Sequence, residues 1–275
     1  MSTEALTPRA TPPTDEAVRV ERRGHVLILT LNRPDVRNAI NMNVTVGVGN
    51  ALELAEADSD IWVVIITGAG EKSFCAGADL KAAARGELPL ADERFRRWGF
   101  AGYVQHHISK PTIAAVNGFA LGGGTEIVLA SDLAVAAEHA TFGLPEVKRG
   151  IYAGAGGAFR LGQQIPKKVA TEIILTGQPI TAARALELGL VNRVVPAESL
   201  LTEALKLAHS ICANAPLAVQ ASKRIANGIS DGSVVAEDEH WQRTEAEGVV
   251  LMNSQDSREG MRAFTEKRAP QWQGK

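Results

Sequence analysis

The sequence has little of several features that mark specialised classes of protein. Aromatic residues make up 5% of its 275 residues, and the cysteines number two, Cys75 and Cys212. Two cysteines without a CxxC or Cys/His cluster exclude a disulfide framework and give no pattern of metal ligands, which favours a reducing compartment. The longest apolar run, residues 61–66, has the length of a strand and is far too short to cross a membrane.

Charge of one sign is also lacking. The formal net charge is -2, so no overall field favours nucleic acid or an anionic membrane, and an anionic ligand must be held by a local site. Residues 1–16 are rich in Pro and Thr, carry acidic residues and have no apolar core. This pattern predicts a disordered tail rather than a signal peptide, and with it a cytoplasmic protein.

Glycine is abundant, with 26 residues, and it serves where backbone turns tightly or approaches a ligand. Two glycine loops superficially resemble nucleotide loops. In GAGEKS, residues 68–73, Glu71 stands where the Walker pattern needs a glycine, and in residues 154–159 Phe159 stands where GxGxxG needs its last one. Neither loop therefore indicates ATP or NAD.

The hydrophobic pattern predicts an α/β layer fold with helices appended. A strand, a glycine loop and a helix occur in that order twice. The predicted elements are a hairpin (18–31), helices (41–58, 81–85 and 125–130), strands (61–67, 112–116, 133–136 and 140–142), and a mostly helical remainder after Gly157 that is interrupted at 191–195. No linker divides the chain, and we predict a core of residues 17–195 followed by a C-terminal helical region, 196–275.

The loops FCAGADL (74–80) and LGGGTE (121–126) each place small residues between a buried strand and a helix start. Backbone N–H groups lack partners at such a position and point at whatever lies there. We predict Ala76 and Gly123 as two such donors, which together would form an oxyanion hole for a thioester enolate. On spacing alone, tight packing turns are an equally available interpretation.

Two carboxylates accompany these loops. Glu126 follows Gly123 by three residues, in the first turn of the predicted helix, and Glu146 stands in the apolar stretch FGLPEV. A carboxylate in so apolar a setting is paired, has a raised pKa or does chemistry. Each taken singly could also be a capping or surface residue.

At these residues the sequence resembles the crotonase (enoyl-CoA hydratase/isomerase) superfamily. The resemblance covers almost everything from Val18 onward. It is carried by LNRPDVRNAI, IITGAGEKSFCAGADLK, KPTIAAVNGFALGGGTE, FGLPEVKRGI, GAGGAFRL, LTGQPITAARALELGLVNRVV and FTEKRAP. It implies an α/β fold, a crotonase-like spiral of ββα turns with a C-terminal helical region that builds trimers or dimers of trimers.

The resemblance also implies an enoyl-CoA hydratase that uses no cofactor and no metal, because the coenzyme A thioester is itself the substrate. Ala76 and Gly123 would supply the oxyanion N–H groups, Glu126 would activate water at the β-carbon, and Glu146 would transfer a proton at the α-carbon. The residues implied to hold coenzyme A are Arg37, Ala76, Gly77, Ala78, Asp79, Leu80, Lys81, Gly122 and Gly123, with Lys267 as a further candidate.

The acyl pocket is expected within the variable segment 87–107, including Trp98, Phe100 and Tyr103, although these aromatics could equally be core residues. At Ile151-Tyr152-Ala153 the chain departs from the Ile-x-Pro of many members, so Tyr152 could also enter the pocket.

Residues 68–87 and 257–275 most resemble the crotonobetainyl-CoA hydratase (carnitinyl-CoA dehydratase) branch. That activity, an enoyl-CoA isomerase and a non-catalytic oligomeric or RNA-binding relative stay open as alternatives.

Overall fold

The computed structural model describes residues 17–84 and 93–275. The predicted tail, 1–16, and the first part of the variable segment, 87–92, lie outside these residues. The strands are β1 (Val18–Arg23), β2 (Val26–Leu31), β3 (Val63–Gly68), β4 (Ser73–Cys75), β5 (Thr112–Val116), β6 (Phe119–Leu121), β7 (Leu133–Ala137), β8 (Thr141–Gly143), β9 (Ile180–Thr181), β10 (Arg193–Val195), β11 (Ile229–Ser230) and β12 (Ser233–Val234).

The helices follow the apolar periodicity of the sequence, and several begin at a capping residue. Asn41, for example, accepts the N–H of Val44 through its side chain and so fixes the start of the first helix. The helices are α1 (Met42–Ala57), α2 (Leu80–Ala84), α3 (Glu93–Trp98), α4 (Gly123–Ala130), α5 (Gly157–Gln164), α6 (Lys167–Thr176), α7 (Ala182–Glu187), α8 (Leu200–Cys212), α9 (Pro216–Asn227), α10 (Asp238–Met252) and α11 (Gln255–Glu266).

Successive turns of the chain contribute one strand to each of two sheets. The larger sheet has the order β1-β2-β3-β5-β7-β10, and the smaller has the order β4-β6-β8-β9. Strands β3, β5 and β7 pair in parallel in the first sheet, and β4, β6 and β8, which directly follow them, pair in parallel in the second. This is the spiral that the sequence predicts.

The two faces of the larger sheet are both covered, which is why β3 is an unbroken apolar run. Val64 and Ile66 point into the core between the sheets, whereas Val63 and Ile65 point to the opposite face. Helix α8, the first helix of the predicted C-terminal region, packs Ala204 and Ala208 on that opposite face. The division at residue 195 stays a prediction.

Five short strands escape the sequence pattern. The predicted glycine loops at 74–80 and 121–126 are wrong in part, because β4 reaches into the first and β6 into the second, and β9, β11 and β12 lie in the part expected to be helical. They are two or three residues long and are defined by pairing with distant strands rather than by local periodicity. Among residues 17–84 and 93–275, no helix combines the length and hydropathy that crossing a membrane would need.

Candidate active site

One cavity of about 720 Å³ gathers almost all the predicted site residues. It lies where the β4–α2 turn, the β6–α4 turn and the segment 145–155 meet. The predicted residues that line it are Arg37, Ala76, Gly77, Ala78, Asp79, Leu80, Lys81, Phe100, Gly122, Gly123, Glu126, Glu146 and Tyr152.

The oxyanion donor predicted at Ala76 is wrong in position. The Ala76 N–H already donates to the Arg37 carbonyl oxygen at 3.1 Å. Two residues on, Ala78 pairs with Ile40 in a parallel bridge in which the Ile40 N–H donates to Gly77 O and the Asp79 N–H donates to Ile40 O, each at 2.9 Å. In such a pairing the N–H of the central residue, Ala78, points away from its partner strand, towards the cavity.

The Ala78 N–H and the Gly123 N–H lie close together. A Cβ atom built on Gly77 would be 3.3 Å from the Gly123 nitrogen, so the Gly77–Ala78 peptide runs directly beside the first residue of α4. Neither N–H donates to an acceptor within residues 17–84 and 93–275. Both donors therefore face the cavity unpaired, at the positive end of α4.

Glu126 is buried in the first turn of α4, with 3% of its surface exposed. Burial raises the pKa of its carboxyl group, and the N–H groups of Gly157 and Ala155 oppose that rise. The Gly157 N–H, at the start of α5, donates to Glu126 Oε1 at 2.9 Å. The carboxylate is thus held in place by the backbone of a second helix.

Glu146 lies on a 3₁₀ helix, Pro145–Arg149, on the other side of the cavity. Its Oε2 atom is buried without a hydrogen-bond partner in the described part of the chain. Burial raises the pKa of Glu146, and the nearby charge of Glu126 raises it further. A Cβ on Gly122 would be 2.9 Å from Glu146 Oε1, so the carboxyl group rests directly on the glycine loop. An unpartnered buried oxygen with a raised pKa is typical of a functional carboxyl group.

Among the residues implied to hold coenzyme A, Asp79 has a structural task. Its carboxylate accepts a hydrogen bond from Arg33 Nη2 at 2.9 Å and another from the Ala82 N–H at 3.1 Å. It thereby anchors the start of α2, and these contacts lower its pKa against the opposing effect of burial. Arg37 and Lys81 line the cavity beside Asp35 and Asp79, so cationic side chains are available there despite the neighbouring carboxylates.

The aromatic predictions divide into two groups. Phe100 lines the cavity and packs its ring against Gly123, and Tyr152 lines the cavity as well. Trp98 does not, so its assignment to the acyl pocket is wrong. It is 2% exposed, packs on Gly49 of α1, and donates its indole N–H to Glu53 Oε1 at 2.9 Å.

Tyr103 is also a core residue, with its hydroxyl 2.8 Å from Ser131 Oγ.

Arg149 and Phe264 are among the residues of the cavity wall that sequence reasoning missed. The Arg149 guanidinium lies 4.7 Å from the centre of the Phe264 ring, so the two close the cavity as a stacked pair. Phe264 is the first residue of the FTEKRAP motif, which could have drawn attention to it. Lys267, in the same motif, lies outside the cavity lining.

Comparison with known proteins agrees with this geometry. The enoyl-CoA hydratase/isomerase family model matches residues 21–275. A carnitinyl-CoA dehydratase from Salmonella arizonae is 44% identical over 264 residues, which are 94% of this chain and 99% of the relative. The crystal structure of a carnitinyl-CoA hydratase from Mycobacterium avium is 57% identical with a TM-score of 0.92, and the match covers 95% of this chain and 100% of that one.

An enoyl-CoA hydratase structure from Mycobacterium tuberculosis is 43% identical with a TM-score of 0.73, over 95% of this chain and 100% of that one. These matches confirm the crotonase-like fold and the resemblance to the carnitinyl-CoA dehydratase branch. The chain belongs to the enoyl-CoA hydratase/isomerase family and is an enzyme of the enoyl-CoA hydratase type.

Proposed function

We propose that this cavity adds water reversibly across the 2,3 double bond of a 2-enoyl-CoA thioester, giving a 3-hydroxyacyl-CoA. The observation that carries the proposal is that two unpaired backbone N–H groups and two buried carboxyl groups face one cavity. The N–H groups suit a negatively charged oxygen, and the carboxyl groups suit proton transfer on either side of it.

In this mechanism the thioester carbonyl oxygen accepts hydrogen bonds from the N–H groups of Ala78 and Gly123. Glu126 takes a proton from water while the water oxygen bonds to the β-carbon. The double-bond electrons move to give an enolate whose charge rests on the carbonyl oxygen, at the N-terminus of α4. Glu146, as the carboxylic acid, then protonates the α-carbon.

The environments of the two carboxyl groups support this division of roles. Glu126 accepts an N–H from Gly157, which favours its charged form and suits a base. In the described part of the chain Glu146 Oε2 has no such partner, and burial together with the charge of Glu126 favours protonation of Glu146, which suits an acid. The backbone donors supply the polarisation of the carbonyl, so the chain's own groups account for every step.

The other end of the cavity would hold the coenzyme A moiety. Arg37, Lys81 and Arg149 line the cavity wall and would offset the negative charge of its phosphates. Residues 76–80 belong to the β4–α2 turn, and the thioester would lie along this turn, next to the oxyanion donors.

A second candidate is dehydration of carnitinyl-CoA, the activity for which the Salmonella relative is named. One observation favours it. The Tyr152 ring lines the cavity, and burial, together with the charges of Glu126, Glu245 and Glu247, raises its pKa, so carboxylates lie near this ring. An aromatic ring with carboxylates nearby suits a trimethylammonium group. An isomerase would need a single proton relay, which the same glutamates could also provide.

The deciding experiment compares crotonyl-CoA and crotonobetainyl-CoA as substrates for hydration, followed by loss of the enoyl absorbance and by identification of the product. A higher kcat/KM for crotonobetainyl-CoA would support the second candidate. Turnover of a 3-enoyl-CoA to the 2-enoyl isomer without water addition would support the isomerase. If neither compound nor longer enoyl-CoA esters are hydrated, the proposed function is wrong.

We also propose self-association into trimers or dimers of trimers. Leu217 and Ile225 of α9 are 77% and 83% exposed. Large apolar side chains exposed together on one helix are typical of a surface that another subunit covers. Light scattering of the purified protein measures the mass of the assembly and so tests the trimer.

The cytoplasmic location stays a prediction.

A further inference from the structure

Tyr152 stands at the point where the catalytic loop meets the C-terminal helices. Its hydroxyl donates to the Thr244 carbonyl oxygen of α10 at 2.6 Å, so the polar end of the side chain is turned away from the cavity and the ring forms part of the wall. The ring belongs to the segment that joins the 3₁₀ helix of Glu146 to α5, whose N–H groups hold Glu126.

A glycine on α10 makes this position possible. Gly248 lies one helical turn after Thr244, on the same face. A Cβ on Gly248 would be 2.6 Å from the Tyr152 hydroxyl oxygen, while the next nearest atom, Cζ, would be 3.6 Å away. The Cβ of an alanine at 248 would therefore come too close to the hydroxyl oxygen of Tyr152, while its distances to the ring atoms would be ordinary contacts.

The position of Tyr152 relative to the proposed reaction centre determines what it would touch. Charged residues Arg37 and Lys81 line the end of the cavity next to the β4–α2 turn, which suits coenzyme A. Tyr152 and Ala155 lie on the segment whose backbone contacts Glu126, beyond the oxyanion donors. An acyl chain that leaves the thioester and passes between the glutamates would run towards this segment.

We propose that Tyr152 determines specificity by ending the acyl site, and that Gly248 sets its position by leaving room for the hydroxyl group. The inference rests on the proposed function, because it assumes an acyl-CoA in this cavity. On this proposal the site takes short acyl groups, and α10 holds the Tyr152 side chain in place.

The test uses saturated acyl-CoA esters, which bind without reacting. The dissociation constants of butyryl-CoA and decanoyl-CoA are measured by calorimetry for five proteins. These are the wild type, Tyr152→Ala, Tyr152→Phe, Gly248→Ala and the double variant that combines Tyr152→Phe with Gly248→Ala. Tyr152→Ala is expected to shift the preference towards decanoyl-CoA by at least about tenfold, since a few methylene contacts carry that much discrimination. Tyr152→Phe keeps the ring and is expected to stay near the wild-type preference.

The double variant tests the role of Gly248. Gly248→Ala alone is expected to weaken butyryl-CoA binding about tenfold, because the displaced ring enters the cavity. In the Tyr152→Phe background the atom that clashes is gone, so the same substitution is expected to change binding less than about twofold. Tyr103→Phe is the matched control, because Tyr103 is the other tyrosine of the chain and its hydroxyl also makes one hydrogen bond, outside this cavity.

The results separate the inference from the proposed function. An unchanged chain-length preference in a folded Tyr152→Ala protein would overturn the specificity role. An equal effect of Gly248→Ala in both backgrounds would overturn the role of Gly248. If the preference shifts as expected but the wild type hydrates no enoyl-CoA, the inference stands and the proposed reaction is wrong.

Discussion

Burial raises the pKa of Glu146 on the 3₁₀ helix 145–149, and the charge of Glu126, in the first turn of α4 on the same cavity, raises it further. Within residues 17–84 and 93–275 neither carboxyl group has a cation as its hydrogen-bond partner, so each limits the ionisation of the other. The pair is therefore expected to titrate as a unit, with one proton shared between two sites at neutral pH. This relationship is the basis of the first two predictions.

Glu126→Gln and Glu146→Gln are each expected to lower kcat for hydration by about 10²–10⁴-fold, because each removes one proton-transfer step. The binding of butyryl-CoA should change little, since the shape of the cavity is kept. Steady-state kinetics and calorimetry measure the two quantities. Glu138→Gln, at an exposed glutamate, is the control, and full activity in either cavity variant would contradict the assignment.

Glu146→Gln is also expected to stabilise the protein, and more so as pH rises. A carboxyl group whose folded pKa is raised binds its proton more tightly in the folded state, so ionisation above the unfolded pKa favours unfolding. The glutamine amide cannot ionise, so the variant keeps the stability that the wild type loses when Glu146 ionises. That loss is about 1–3 kcal/mol for a buried unpaired group. Thermal unfolding at pH 5 and pH 8.5 measures it, and a stability gain that is the same at both values would contradict the raised pKa.

Gly260 of α11 is expected to be needed for the position of Glu146. A Cβ on Gly260 would run into the carbonyl of Arg149, the last residue of the 3₁₀ helix that carries Glu146. Gly260→Ala should therefore lower kcat about tenfold or more and shift the alkaline limb of the pH profile, where the acid Glu146 ionises, at a cost of about 1–3 kcal/mol in stability.

Gly162→Ala is the matched control for this change. Its new Cβ would meet Ala170 at 3.9 Å, an ordinary contact, inside helix α5. A small gain in stability and unchanged kinetics are expected there. Equal kinetic losses in both variants would show that the position of Gly260 has no special relation to Glu146.

The ion pair between Arg160 and Glu237 is expected to hold the C-terminal region on the core. Arg160 Nε and Nη2 donate to the two oxygens of Glu237 at 2.8 and 2.6 Å, and Nη1 donates to the Val104 carbonyl oxygen at 2.8 Å. Glu237→Gln leaves a buried guanidinium without its charge partner, which should cost about 3 kcal/mol in the free energy of unfolding.

The same pair predicts a loss of stability in acid. The contacts with Arg160 oppose the effect of burial and lower the pKa of Glu237, so its contribution is present above the unfolded pKa and is lost as pH falls through the folded pKa. Denaturant unfolding at several pH values measures it. Glu187→Gln, which breaks the exposed pair with Arg184, should cost less than about 1 kcal/mol, and an equal cost would contradict the importance of burial.

Local pattern was enough to predict the hairpin, the buried strands and the helix that begins at Gly123, because each follows from apolar periodicity or from a capping residue. It could not predict β6, whose three residues are a strand through their pairing with β4 and β8.

The same limit of local pattern explains the error at Ala76. Whether an N–H is free depends on which carbonyl lies opposite, and here Arg37, far back in the chain, occupies the Ala76 N–H and leaves that of Ala78 unpaired.

The aromatic residues show the same division. Trp98 and Phe100 are two residues apart, yet Trp98 packs against α1 and Phe100 lines the cavity. Hydrophobicity is the same signal in both cases, so the sequence cannot separate a core ring from a cavity ring. Phe264 reaches the cavity from α11, where only the folded chain brings it to Arg149.

The three glycines that begin α4 each meet a different neighbour. A side chain at 122 would meet the Glu146 carboxylate, one at 123 the Phe100 ring, and one at 124 the backbone of Cys75. No single compensating change elsewhere can therefore make room for all three. Each position of this turn is therefore constrained by a separate contact, and room made for a side chain at one position leaves the other two as crowded as before.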